Sequence, residues 1–141
     1  MPCENAMMLF DPSPGQIVDR MTILTLKRTK ALANNIPVAA IDAEIARCNA
    51  VLDKFKEAHP EKVPRFNCLA SLLLWRNNRQ WWLEDAVRSH LKALNDPPTY
   101  DQLAEVVQIE KQNAMGNEAR ALLVREIDKL FGVEPELKAY S

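Results

Sequence analysis

Glycine is scarce in this chain, three in 141 residues, at positions 15, 116 and 132. So few positions free to take positive φ argue against a β-sandwich built on many tight turns. Cysteine is sparse and odd in number, with Cys3, Cys48 and Cys68 far apart. That spacing makes no disulfide framework. With no C-x-x-C and only His59 and His90 as imidazoles, it makes no zinc pattern either. The three are read as reduced thiols, Cys48 as a small core residue. Charge of one sign is also missing: 18 Lys and Arg stand against 19 Asp and Glu, a net charge of -1. Proteins that track duplex DNA or anionic bilayers usually carry a basic surplus, so nucleic acid is not expected as a partner. No run approaches the ~20 apolar residues that span a bilayer, so no membrane partner is expected. Within Met1–Phe10, the stretch Ala6–Phe10 is too short for a signal h-region and lacks a basic n-region. No secretory leader is expected, and the expected location is cytoplasmic. Catalytic signatures are missing too: no G-x-S-x-G, P-loop or H-E-x-x-H occurs. Nor does the repeated E-x-x-E and E-x-x-D arrangement with which all-helical nucleotide pyrophosphohydrolases hold magnesium.

What the chain does have is helical periodicity. Its 48% hydrophobic and 26% charged residues are ordinary for a globular domain. Its length predicts one domain over residues 1–141, with an N-terminal arm at 1–12 and an irregular tail at 132–141. Prolines cluster between four periodic stretches. Ser13-Pro14-Gly15-Gln16 combines an N-cap, Pro at N1 and Gln at N3, a capping box that opens helix one. Ile17, Met21, Leu24, Arg28, Ala31 and Leu32 then share a face, while Ile23 and Leu26 lie on another, flanked by Asp19, Arg20 and Lys27. A helix apolar on two sides is central in its bundle or part of a subunit interface. Helix two, about Val38 to Lys56, carries a plain stripe of Ile41, Ile45, Cys48, Leu52 and Phe55. Helix three, about Phe66 to Leu94, carries Leu69, Leu72, Leu73, Leu83, Val87, Leu91 and Leu94. Helix four opens on a second capping box, Thr99-x-x-Gln102, and continues through Val106, Ile109, Ala121, Val124, Ile127 and Phe131 unless Gly116 breaks it. Gly132 reads as its C-cap. The expected fold is all-α, a four-helix bundle with mostly antiparallel helices.

Two constellations depart from plain amphipathicity. Arg76, Arg79 and Gln80 interrupt the stripe of helix three, and Glu110, Asn113, Asn117 and Arg120 interrupt that of helix four. An unpaired charge buried there costs roughly 3–5 kcal/mol, so the two patches should meet each other, water or a ligand. The plain reading is a closed network, for example Glu110 with Arg76, Arg79 or Arg120. The functional reading is a polar pocket between helices, where bundle sites usually lie. On the opposite side of helix three, Asn77, Trp81, Glu84 and Arg88 form one row, with Asp85 beside it. An indole face beside carboxylates and a guanidinium suits a sugar or a base. The plain alternative is a solvated i, i+4 pair worth ~0.2–0.5 kcal/mol. The run Trp75–Trp82 interleaves basic and aromatic residues as single-strand binders do, but on a helix these side chains point in all directions.

Three blocks resemble a domain-of-unknown-function family of small helical, mainly bacterial proteins. Ser13 to Lys27 is similar to its opening block, roughly S-x-G-E-L-I-D-K-I-T-I-L-E-I-K. Asn77, Trp81, Glu84, Asp85 and Arg88 match its central N-x-x-x-W-x-x-E-D-x-x-R. Asn117-Glu118-Ala119-Arg120, Arg125 to Asp128 and Glu136 to Tyr140 resemble its closing blocks. The family's Glu in the opening block is Thr25 here, and its Lys before the R-E pair is Val124. The resemblance implies no reaction. It does give weight to the polar residues it matches, among them Asp19, Lys27, Asn117 and Arg120.

Together these observations predict one polar site or network joining helices one, three and four, made of Asp19, Arg20, Lys27, Asn77, Trp81, Glu84, Asp85, Arg88, Asn117 and Arg120. The function expected is a non-enzymatic module that binds a small polar ligand or a protein partner, a second copy through helix one being one form of the latter. The alternative is a hydrolase or transferase acting on a nucleotide or sugar, with Glu84 or Asp85 as base or metal ligand. No cofactor is named by the sequence. An open pocket lined by Trp81, Arg88 and Arg120 would favour ligand binding. Carboxylates converging from two helices would favour the enzyme, and a closed, fully paired cluster a structural role.

Overall fold

Two of the four helices begin at a side chain that satisfies orphan N–H groups of the first turn. The computed structural model describes residues 12–133, in four helices: α1 Pro14–Ala33, α2 Ala39–Ala58, α3 Val63–Lys92 and α4 Tyr100–Leu130. A 3₁₀ turn, Pro60–Lys62, joins α2 to α3. The N-terminal arm before residue 12, Cys3, and the tail beyond 133 with Glu136 to Tyr140 lie outside the described residues. Both predicted capping boxes are formed. Gln16 N–H donates to Ser13 Oγ at 3.2 Å while Ser13 N–H donates to Gln16 Oε1 at 2.9 Å. Gln102 N–H donates to Thr99 Oγ1, and Gln102 Oε1 accepts from both Thr99 N–H and Asn95 N–H, each at 3.1 Å. Gln102 Nε2 also reaches Ala93 O at 3.2 Å, so one side chain ties the α3–α4 turn together. Gln102→Ala should therefore cost about 1 kcal/mol, as loss of a helix cap does, read as a lower midpoint in urea melting.

The C-termini of α1 and α4 close as Schellman motifs. Past α4, Val133 N–H donates to Asp128 O and Gly132 N–H to Lys129 O, with Gly132 at φ 75°. Past α1, Ile36 N–H donates to Ala31 O and Asn35 N–H to Leu32 O, with Asn35 at φ 57°. Asparagine is the one common substitute for glycine in this left-handed position.

Helices α3 and α4 form a long antiparallel hairpin. Lys62 Nζ donates to Leu130 O at its base, Gln80 meets Asn113 midway, and His90 lies 3.4 Å from Glu105 near the turn. Helix α1 runs antiparallel to α4, its Gly15 beside Asp128 and its Asp19 beside Arg120. Helix α2 turns back along α1, tied by Arg28–Asp42 at 2.5 Å and Arg20–Glu44 at 2.8 Å. The core joins all four helices: Ile17 and Val18, Leu52, then Phe66, Leu69 and Leu73, then Ile127 and Phe131, with Leu73 and Ile127 wholly buried. The Phe131 ring sits 5.3 Å from Phe55 and 5.5 Å from Phe66. No helix among the described residues is long and apolar enough to cross a membrane.

Two expectations are corrected, and one question the sequence leaves open is answered. Leu32, Leu72 and Leu91, assigned to core stripes, are about half exposed. Helix α1 is ~30 Å long against ~45 Å for α3, and Leu91, Leu103 and Val107, toward the tip of the α3–α4 hairpin, are left exposed. Glu110 and Arg79 are exposed, and neither forms the predicted inner ion pair. Helix α4 runs unbroken through Gly116, which is buried against Gln80 of α3. A Cβ there would collide with the Gln80 carboxamide, so glycine serves close approach and not a break.

Cys48 is half-buried against the core and Cys68 is exposed. Burial, with Glu44 nearby, raises the Cys48 thiol pKa, outweighing the lowering by Arg20 and Arg47. A raised pKa means less thiolate at a given pH below it. At pH 8, iodoacetamide should modify Cys48 several-fold more slowly than Cys68, as followed by peptide mass spectrometry. Equal rates would contradict the burial.

Candidate functional site

Unbroken winding of α3 keeps the row Asn77, Trp81, Glu84 and Arg88 on one side, because residues three and four apart share a helical face. Helix α1 supplies the facing wall through Ile23, Leu26, Lys27 and Lys30, spaced i, i+3, i+4, i+7. Arg120 of α4 completes it. Together with Gln80 these side chains line a half-open cleft of about 300 Å³. The second apolar side of α1 is thus a wall of this cleft.

At one end of the cleft lies a fully connected polar cluster. Asp19 Oδ1 accepts from Arg120 Nε at 2.8 Å and Oδ2 accepts from Arg120 Nη2 at 2.5 Å, a bidentate fork. Asn77, only 4% exposed, donates to Asp19 Oδ1 at 2.8 Å and to Thr22 Oγ1 at 2.6 Å. Thr22 Oγ1 in turn donates to Asp19 O at 2.7 Å. The carboxylate that pairs Arg120 is therefore Asp19, from α1, and not Glu110. The hydrogen bond to Asp19, helped by the charges of Asp19 and Glu84, raises the Arg120 pKa against the opposing pull of burial. A raised guanidinium pKa leaves the fork's contribution intact through neutral and alkaline pH, lost only as pH climbs through that raised value.

The predicted site residues therefore divide. Asp19, Asn77 and Arg120 meet in the cluster. Lys27, Trp81, Glu84 and Arg88 face the cleft beside it. Arg20 does not belong: it turns to Glu44 of α2. Asp85 pairs with Arg88 from the flank and does not line the cleft. Asn117 is exposed and lines instead a second hollow of about 460 Å³ with Gln16, Asp19, Arg125 and Asp128. Arg120 lines both hollows and so forms the wall between them. The opposite-side assignment of Asn77 is corrected in one respect: α1 covers that side, so Asn77 is buried.

Sequence reasoning missed Thr22 and Lys30. Lys30 was legible as the next turn after Ile23, Leu26 and Lys27. Thr22 had no signal beyond its i+3 spacing from Asp19. Lys30 Nζ sits 5.4 Å from the Trp81 ring centroid, within range of a cation–π contact. Gln80 donates to Asn113 O and Oδ1, and its own buried Oε1 has no hydrogen-bond partner among the described residues. Those residues hold no group of three His, Cys, Asp or Glu side chains placed to share a metal ion.

No protein-family model matches the chain, and no curated protein or solved structure matches it.

Proposed function

We propose that the protein is a non-enzymatic binding module whose site is the cleft between α1, α3 and α4. One observation carries this reading: an open hollow lined by Trp81, Arg88 and Arg120 and braced at one end by a satisfied polar cluster. Its volume is at the lower end of the ~300–1,000 Å³ typical of small-molecule sites, and it mixes apolar walls with a few converging polar groups. The cluster of Asp19, Asn77, Thr22 and Arg120 serves as the rigid support such a site needs. Asp85 pairs with Arg88 and does not line the cleft, so Glu84 and Asp85 do not converge there as a carboxylate pair, and the described residues hold no three-ligand metal cluster. The geometry therefore supports binding over the hydrolase or transferase alternative. Likeness to the helical family named above belongs to the same proposal, since the matched residues include most of the cleft's polar ones. A cytoplasmic location belongs to it as well.

The test is a thermal-shift screen of nucleotides, sugars, organic acids and metal salts. A ligand present at 100 times its Kd stabilises the native state by about 2.7 kcal/mol. Arg88 is 60% exposed in its side chain, so Arg88→Ala should change the unliganded protein by about 0.5 kcal/mol or less. It should nevertheless remove most of the ligand-induced rise. A rise of equal size in Arg88→Ala and in Trp81→Ala would move the site elsewhere.

A further inference from the structure

The charges around the cleft are unevenly paired. Its lining presents Lys27, Lys30, Arg88 and Arg120 against one carboxylate, Glu84. Two of these cations are already neutralised from outside the lining, Arg120 by Asp19 and Arg88 by Asp85. Lys27 and Lys30 are not. Among the described residues neither ammonium has a carboxylate within ion-pair distance. They stand one turn apart on α1, where like charges repel. The indole of Trp81 is the contact Lys30 does have, and an exposed cation–π contact is worth only ~0.5–1 kcal/mol. Beside the lysines, Ile23, Leu26 and Trp81 form an apolar surface on which a flat body could lie.

Resting on the reading that this cleft is the ligand site, we infer that its ligand is a small organic anion. One carboxylate or phosphate group sits between Lys27 and Lys30 with Arg88 opposite, and a flat ring lies against Trp81 and the Ile23–Leu26 wall. Glu84 accepts a hydroxyl or N–H of the same molecule and disfavours a second acidic group at its end. The volume admits a single ring system with one acidic substituent.

Charge and ring can be varied separately in NMR titrations of the full chain labelled with nitrogen-15, watching the Trp81 indole N–H and the Lys27 and Lys30 amides. Indole-3-acetate, indole-3-acetamide and tryptamine share a ring and carry negative, zero and positive charge. Phenyl phosphate and inorganic phosphate carry an anion with and without a ring. The expected order is indole-3-acetate or phenyl phosphate at least tenfold tighter than the amide, with tryptamine and bare phosphate weaker still. Whichever of the two acids binds more tightly identifies the acidic group. Lys27→Gln/Lys30→Gln, at exposed positions, should erase the preference for the acid while the protein stays folded. Amide or tryptamine binding at the cleft as tightly as the acid would overturn the inference and leave the binding module standing. So would a preference unchanged in the double variant, or bare phosphate matching the ringed acids. If none of the five probes moves the Trp81 resonance while a neutral sugar or nucleoside does, the anion class falls alone. If nothing moves it, the cleft reading falls too.

Discussion

Asp19→Ala is expected to destabilise the protein by about 2–3 kcal/mol, somewhat less than the 3–5 that breaking a fully buried ion pair costs. The discount follows from exposure: the Arg120 side chain keeps 31% of its accessible surface and that of Asp19 17%, so solvent screens part of the pair. The loss is still large because it does not stop at one bond. Arg120 loses both arms of its fork, and buried Asn77 loses one of its two acceptors. A half-satisfied network is worse than none, since each stranded donor keeps its desolvation penalty. For a chain of this size the change corresponds to a fall in Tm of ~8–12 °C. Asp19→Leu/Arg120→Met, which removes both charges, should recover most of that loss in urea melting. If the double variant is as unstable as Asp19→Ala, packing and not charge pairing explains the effect. Asp19→Ala should also weaken ligand binding at the cleft, because Arg120 then has nothing to hold it in the wall.

The second large effect falls where α1 begins. Gly15 is buried at the second position of α1, and its N–H donates to Asp128 Oδ1 at 2.7 Å. An added Cβ would lie 2.9 Å from that oxygen and would overlap the backbone carbonyl of Val124. A side-chain tip could swing away, but a carbonyl inside α4 cannot. Alanine is the better helix former by up to ~1 kcal/mol, which favours the substitution. Against it stand overpacking, ~1–3 kcal/mol and occasionally more, and disruption of a charge-assisted bond worth ~1.5–3 kcal/mol. The clash therefore wins, and Gly15→Ala should lose about 3 kcal/mol. A loss under 1 kcal/mol would mean that the start of α1 can slide along α4. Asp128 is only 5% exposed, and its position explains why a carboxylate is tolerated there. It meets the N-terminus of α1, where unsatisfied N–H groups and the helix dipole favour negative charge.

Much of the fold was legible because it rests on local rules. Ser13 with Gln16, and Thr99 with Gln102, announce helix starts through bonds only three residues long. Spacing of three and four gathers Asn77, Trp81, Glu84 and Arg88 without reference to any other helix. The errors lie where coverage by a neighbour decides. Leu72 and Leu91 belong to an apolar stripe by periodicity, yet only part of α3 is covered. Arg79 and Glu110 sit at stripe positions but reach solvent. Arg20 is next to Asp19, but a shift of about 100° turns it to Glu44, and Asn117, three residues before Arg120, lines the other hollow.

The amino-acid sequence by itself determined where helices start and stop, which side chains of α3 form a single row, and that no familiar catalytic motif is present. Those properties depend on backbone capping and helical pitch, and both act over a few residues. Only the tertiary structure decided that Asp19 grips Arg120, 101 positions away, and that Lys27 and Lys30 confront Trp81 across a gap. Pairing of that range depends on which faces of α1, α3 and α4 bury one another, a choice made by the packing of Ile17, Val18, Leu73 and Ile127 into one shared core.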